Sequence, residues 1–275
     1  MNTHVFKCIF CSSKGPFNTE EHVIPESLGN DSLICKCICD TCQNYFGKEI
    51  ENYVLSKTPF AFWKVWYGIK SKKGKFPSID LSQPKKEKGR IPQTSAYHDQ
   101  NIGFSYHEDN TISVDINDGN LINEIIEGRK SAFNFVISPK SIEQIGRFLG
   151  KMAIELIALN KYENAMTSKY DGIRIYARRG IFKSLWPIMN GKLKNRIDLY
   201  EKINEEFEES VIYKYKIFEY GDCTYFIFDI GMERWGINLT NQFPDPATIH
   251  IFDQDECINA NWIWYHDREW RKETI

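Results

Sequence analysis

Two Cys-x-x-Cys pairs, Cys8–Cys11 and Cys39–Cys42, constrain the first part of this chain more than any other feature. A short turn carrying two thiolates offers both to one ion, and two such turns complete a closed tetrahedral Zn2+ site. A segment of about fifty residues buries too little apolar surface to hold itself together, so metal binding would supply much of its folding energy. Six of the eight cysteines fall between Cys8 and Cys42. The chain has 275 residues and opens MNTHVFKCIFC, without the basic-then-apolar layout of a secretion signal. In that setting the crowding points to metal rather than to disulfides. Four-coordinate zinc leaves two cysteines over. Cys35 or Cys37 could replace Cys39 as a ligand, or both could be inward-facing strand residues. Cys39 and Cys42 are preferred because their spacing mirrors that of Cys8 and Cys11.

A zinc ion with four protein ligands has no open position, so hydrolytic chemistry in this segment must sit elsewhere. Between the pairs lies EHVIPESLG, beginning at Glu21. Its histidine, His22, has a reference pKa of about 6.5, suited to taking a proton from water near neutral pH. Glu21, Gln43 and Asn44 supply a carboxylate and amide oxygens that could hold a divalent cation against a phosphate.

Taken together, C-x-x-C, EHVIPESLG, C-x-x-C and the following QNYFGK resemble the HNH endonucleases in their zinc-containing form, with a ββα-metal fold. The resemblance extends to about Ser56. It implies that His22 is the general base, that Glu21 binds a catalytic Mg2+ or Mn2+, and that Gln43 or Asn44 on the following helix is the second ligand. The family has Asn or His directly after the last cysteine, where this chain has Gln43. Gln43 could coordinate through its carbonyl oxygen, or Asn44 could do so after a small rotation of the helix. The middle Asn that braces the hairpin corresponds best to Asn30. DNA is the implied substrate and defence against phage a frequent setting. The competing function is a zinc-containing module that binds nucleic acid or protein without cutting, which the Gln43 departure favours. An RNA-directed nuclease is a third, since a base and a metal do not distinguish the sugars.

The helix after the second pair is read from Phe46, Ile50, Tyr53 and Val54, with Asp40 or Thr41 as N-cap. Gly47 within it suggests a close backbone approach to the hairpin or to a ligand. PFAFWKVW, starting at Pro59, reads as a strand or a continuation of the helix, and 68–95 as a Lys-rich linker. IGFSYH and TISVDI read as paired strands around Asp109-Asn110. Ser141 to Asn160 is the strongest helix, with an apolar stripe of Ile142, Ile145, Leu149, Met152, Leu156 and Leu159. A second helix is expected over Lys194 to Glu209, then an antiparallel meander of VIYKYKIFEY, TYFIFDI, RWGINL and ATIHIF. The fold class is therefore α+β: a small zinc-stapled ββα-metal module, then a larger domain of helices on an antiparallel sheet. The expected divisions are 1–58 for the nuclease module, 59–95 for the aromatic segment and linker, and 96–275 for a targeting, regulatory or oligomerisation domain.

A net charge of −2 excludes a uniformly cationic nucleic-acid binder, so phosphate contacts must come from patches. Lys48 beside the site, and Lys72, Lys73, Lys85 and Lys86 in the linker, are the expected contacts. A solvated linker is the alternative reading of the latter four. Arg174, Arg178 and Arg179 could face phosphates or solvent. No apolar run approaches the roughly 18 residues that span a bilayer, so no membrane is expected and a cytoplasmic address follows. DNA is the expected partner, with a second copy of the chain or a partner defence protein as further possibilities.

Overall fold

The computed structural model describes residues 7–30, 32–71, 73–80, 102–109, 111–116, 119–129, 139–180, 186–195, 197, 212–243, 245–252, 257–266 and 269–273. By contacts, the chain divides into two units, Met1–Tyr53 with Pro139–Ile275, and Val54–Ser138.

The first unit opens with a ββα arrangement. Strands β1 (Glu21–His22) and β2 (Ile34–Cys35) pair antiparallel, with Glu21 opposite Cys35 and His22 opposite Ile34. A helix follows in three pieces: α1 (Asp40–Tyr45), a π turn (Phe46–Glu51) and α2 (Asn52–Lys57), the last of which runs across the division at Tyr53 into the second unit. Phe46, Ile50 and Val54 are fully buried, as the helical spacing predicts. Cys39, not Asp40 or Thr41, occupies the N-cap position, and it makes no side-chain cap. Asp40 is already helical, and its carboxylate accepts instead from the Thr19 hydroxyl at 2.7 Å. A Cβ on Gly47 would meet nothing within 4 Å, so a close approach to the hairpin does not explain the glycine. It lies in the π turn, a geometry frequent at functional sites.

The second unit holds α3 (Pro59–Trp66), strands β3 (Ser78–Asp80), β4 (Ile102–Tyr106) and β5 (Ile112–Ile116), and α4 (Gly119–Ile126). PFAFWKVW is thus helical. Pro59 stands at its first turn and the Thr58 hydroxyl accepts from the Phe60 amide. The three strands form an antiparallel sheet in the order β3-β4-β5, and Ala61, Val65, Ile79 and Phe104 form its core.

Among the described residues, the rest of the first unit is three α-helices, two short 3-10 helices and a sheet. Helix α5 (Pro139–Asn160) begins two residues before the expected Ser141. It buries Ile142, Ile145, Leu149, Met152 and Leu156, while Leu159, expected in the same stripe, is 43% exposed. It also buries Arg147, Lys151 and Glu155, one charged row at i, i+4 and i+8. After α6 (Tyr162–Ala165), α7 (Asp171–Arg179) packs closely on α5. A Cβ on Gly146 would lie 2.7 Å from the Tyr176 hydroxyl.

The sheet has the order β11-β10-β6-β9-β8-β7, from β6 (Ile188–Leu193), β7 (Tyr213–Tyr220), β8 (Cys223–Ile230), β9 (Glu233–Asn238), β10 (Cys257–His266) and β11 (Glu269–Glu273). Hairpin turns at Gly221-Asp222 and Gly231-Met232 put their glycines at φ +57° and +60°, where a side chain is strained. ATIHIF, expected as a fourth meander strand, is instead a 3-10 helix, Pro246–Ile251. Pro246 fixes its first turn and Asp245 caps it through the Ala247 amide at 2.9 Å. The helix expected over Lys194 to Glu209 falls largely outside the described residues. Within the sheet, Asp229 and Arg234 are buried as a two-bond pair, both contacts 2.8 Å. No helix among the described residues is long and apolar enough to cross a membrane.

Candidate active site

The metal site is built from two turns. In the first, the Ser12 amide bonds the Cys8 carbonyl at 2.9 Å, the Cys8 amide bonds Ser13 at 2.8 Å, and Ser12 takes φ +60° to close the knuckle. The second turn is the entry into α1, where Cys39 and Cys42 flank the first helical residues. The Sγ atoms of Cys8, Cys11, Cys39 and Cys42 all lie within 4.8 Å of one another. Four Zn–S bonds of about 2.3 Å place sulfurs roughly 3.8 Å apart, so the quartet fits a structural zinc ion. Arg178 of α7 donates to the Cys42 sulfur at 3.3 Å while its guanidinium lies 3.8 Å over the Tyr45 ring. Arg178 is therefore committed to the zinc site, and Arg174 pairs with Asp171. Cys35 is a buried β2 residue hydrogen-bonded to Cys37, and neither joins the quartet.

His22, on β1 between the two turns, has a side chain 23% exposed. Its Nε2 stands 2.7 Å from Glu26, which the 3-10 turn Glu26–Leu28 brings back beside it. Nδ1 is buried without a hydrogen-bond partner among the described residues. Asn30 is buried and braces the hairpin: its amide donates to the Ile24 carbonyl at 2.7 Å and accepts from the Leu33 amide at 3.2 Å.

Glu21 points the other way. It is 5% exposed, and its carboxylate meets the Lys151 ammonium at 2.5 Å. The same ammonium, fully buried, lies 2.8 Å from Glu51 and 3.1 Å from Glu155. It also reaches the His22 carbonyl oxygen at 3.4 Å. Burial alone would lower the Lys151 pKa, but the three carboxylates together hold it well above the ordinary lysine value. Burial raises the carboxyls of Glu21 and Glu155. Gln43 donates its amide nitrogen to the Glu20 carbonyl at 2.9 Å, and Asn44, the next residue on α1, is exposed. The three groups expected around a catalytic Mg2+ or Mn2+ thus fit such an ion poorly as arranged. The one carboxylate is engaged by a lysine, and the other two are neutral amides, weak partners for a hard cation without it.

Lys48 is exposed on the π turn and Lys73 is exposed in the second unit, while Lys72, Lys85 and Lys86 lie outside the described residues. Glu26 and Lys151 were missed in the sequence. Glu26 had a signal, its i+4 spacing from His22; Lys151 is one of many charged residues in a long helix and had none.

A hairpin bearing a histidine, joined to a helix by four cysteines placed to hold one zinc ion, has the arrangement of a ββα-metal nuclease module. Residues 8–58 match the model of the HNH endonuclease family, and residues 59–275 lie outside the match. No curated protein and no solved structure matches the chain.

Proposed function

We propose that this protein is a DNA endonuclease in which His22 is the general base. The observation that carries this is the position of His22 within the family match: on the first strand of the hairpin, partly exposed, with a carboxylate against its ring. In the reaction His22 takes a proton from water at Nε2, the ring nitrogen that faces Glu26, since Nδ1 is buried; the water oxygen bonds to phosphorus as the P–O3′ bond breaks, and the leaving O3′ takes a proton from solvent. Glu26, 2.7 Å from Nε2, stabilises the imidazolium that results. The zinc quartet holds hairpin and helix in register and takes no part in the chemistry.

A requirement for Mg2+ or Mn2+ enters the proposal from the family resemblance alone, with the ion held by groups other than Glu21 as it now stands; phosphate contact by Lys48, Lys72, Lys73, Lys85 and Lys86 belongs to it too. Residues 1–58 would cut, and the rest of the chain, whose part from Pro139 onward shares a unit with the module, would choose targets, regulate or self-associate. A cytoplasmic role in defence against phage, alone or with a partner protein, is supported by the family resemblance only. A second reading, a zinc module that binds without cutting, is favoured by one observation: Glu21 is held by Lys151. Incubating the protein with supercoiled plasmid and with RNA, each with Mg2+, Mn2+ or EDTA, separates these readings. Metal-dependent nicking of plasmid is expected. Binding without cleavage in every condition selects the second reading, and cleavage of RNA alone redirects the substrate.

A further inference from the structure

We propose that Lys151 is a positioning residue of the nuclease site: its buried ammonium, set between the Glu21 carboxylate and the His22 carbonyl, fixes where the His22 ring stands. The inference rests on the reading of His22 as the base. Lys151 touches both residues of β1, at 2.5 Å and 3.4 Å, and comes from α5, more than a hundred positions along the chain. Among the described residues this two-residue strand pairs with β2 alone, and so short a ladder has few bonds of its own to resist displacement. Glu51 on the π turn and Glu155 one turn along α5 hold the ammonium from the remaining sides, at 2.8 Å and 3.1 Å. The lysine therefore ties hairpin, helix and α5 at a single atom. In the same charged row, Arg147 bonds the Tyr45 hydroxyl of α1 and the Ala177 carbonyl of α7, so the row is directed at the module.

Stability alone does not explain such a cluster. Burying ions is costly, and apolar replacements of buried ion groups are often neutral or stabilising. The cluster's yield is geometry: β1 is fixed at the residue before the base and at the base's own carbonyl. A consequence is that Glu21 answers to Lys151 rather than to an exchangeable divalent ion.

The test uses full-length, zinc-loaded protein and the variants E21Q and K151M, with plasmid nicking in Mn2+, Mn2+ binding by electron paramagnetic resonance, melting, and the 15N-labelled His22 ring signals, assigned with His22→Ala. In both variants kcat should fall roughly tenfold or more, with KM for plasmid and Mn2+ affinity within about twofold, and the ring signals should shift or broaden. Folded variants with unchanged ring signals and kcat overturn the proposal, as does a lowered melting point with unchanged ring signals. A loss of Mn2+ affinity of roughly tenfold in E21Q also overturns it, since Glu21 would then be an ion ligand. If K151M does not fold, the isosteric E21Q carries the test. If the native protein nicks nothing, the nuclease reading fails, and the ring signals still decide whether Lys151 positions His22.

Discussion

Replacing Cys42 by Ser is the sharpest perturbation of the scaffold. Cys42 is fully buried, lies in the quartet and accepts a bond from Arg178. Structural zinc contributes about 10–16 kcal/mol of apparent binding energy in small zinc modules, so one of four thiolates accounts for roughly 2.5–4 kcal/mol. Because residues 1–53 share one unit with 139–275, that loss should be felt by the whole unit and not only by the hairpin. For a unit of that size each kcal/mol shifts the melting point by about 2–4 °C, which gives a fall of roughly 5–16 °C. Scanning calorimetry reads the shift, and a metallochromic dye after thiol release reads zinc per chain. The native protein should hold one zinc, Cys42→Ser should hold clearly less, and Cys35→Ser and Cys37→Ser should keep it. A Cys42→Ser protein with full zinc and a melting point within about 2 °C of native would refute the quartet. So would loss of zinc from Cys37→Ser.

Four further outcomes are expected. Arg178→Ala, which removes the N–H···S bond to Cys42, should speed zinc release to a chelator by about tenfold or more; an unchanged rate removes Arg178 from the site. Asp229→Ala leaves the Arg234 guanidinium buried without its carboxylate, and a denaturant titration should show a loss of about 3–5 kcal/mol. Gly146→Ala forces the Tyr176 hydroxyl away from α5, costing about 1–3 kcal/mol by the same titration. The raised carboxyl of Glu155 means the folded protein keeps a proton that the unfolded chain releases above about pH 4.3. Its contribution to stability is therefore fullest in acid and declines as pH rises. Glu155→Gln should melt higher than native at alkaline pH, with the gap closing toward acid.

The parts of this structure that were legible in the sequence carry local chemistry or a clean period. The two cysteine pairs announced the zinc site because their spacing has few other uses. Phe46, Ile50 and Val54 announced their helix, and Asn30 its brace across the hairpin. What stayed hidden depends on tertiary placement. Arg147, Lys151 and Glu155 repeat at four-residue intervals, which in a sequence is also how a solvated helix face looks; only packing of α5 on the module buries them. Arg178 carried no sign that it would meet a cysteine sulfur. In ATIHIF, alternating apolar residues argued for a strand, but the Asp245-Pro246 start dictated a 3-10 turn. The orientation of Glu21 was out of reach for the same reason as Lys151, since it is set by a helix far along the chain.

The central claim meets its most direct test in the rate of plasmid nicking by native protein and by His22→Ala, with zinc content confirmed equal. The account predicts a fall of about 10²–10⁴ in kcat with zinc and melting point retained. A His22→Ala protein that nicks at the native rate would contradict it.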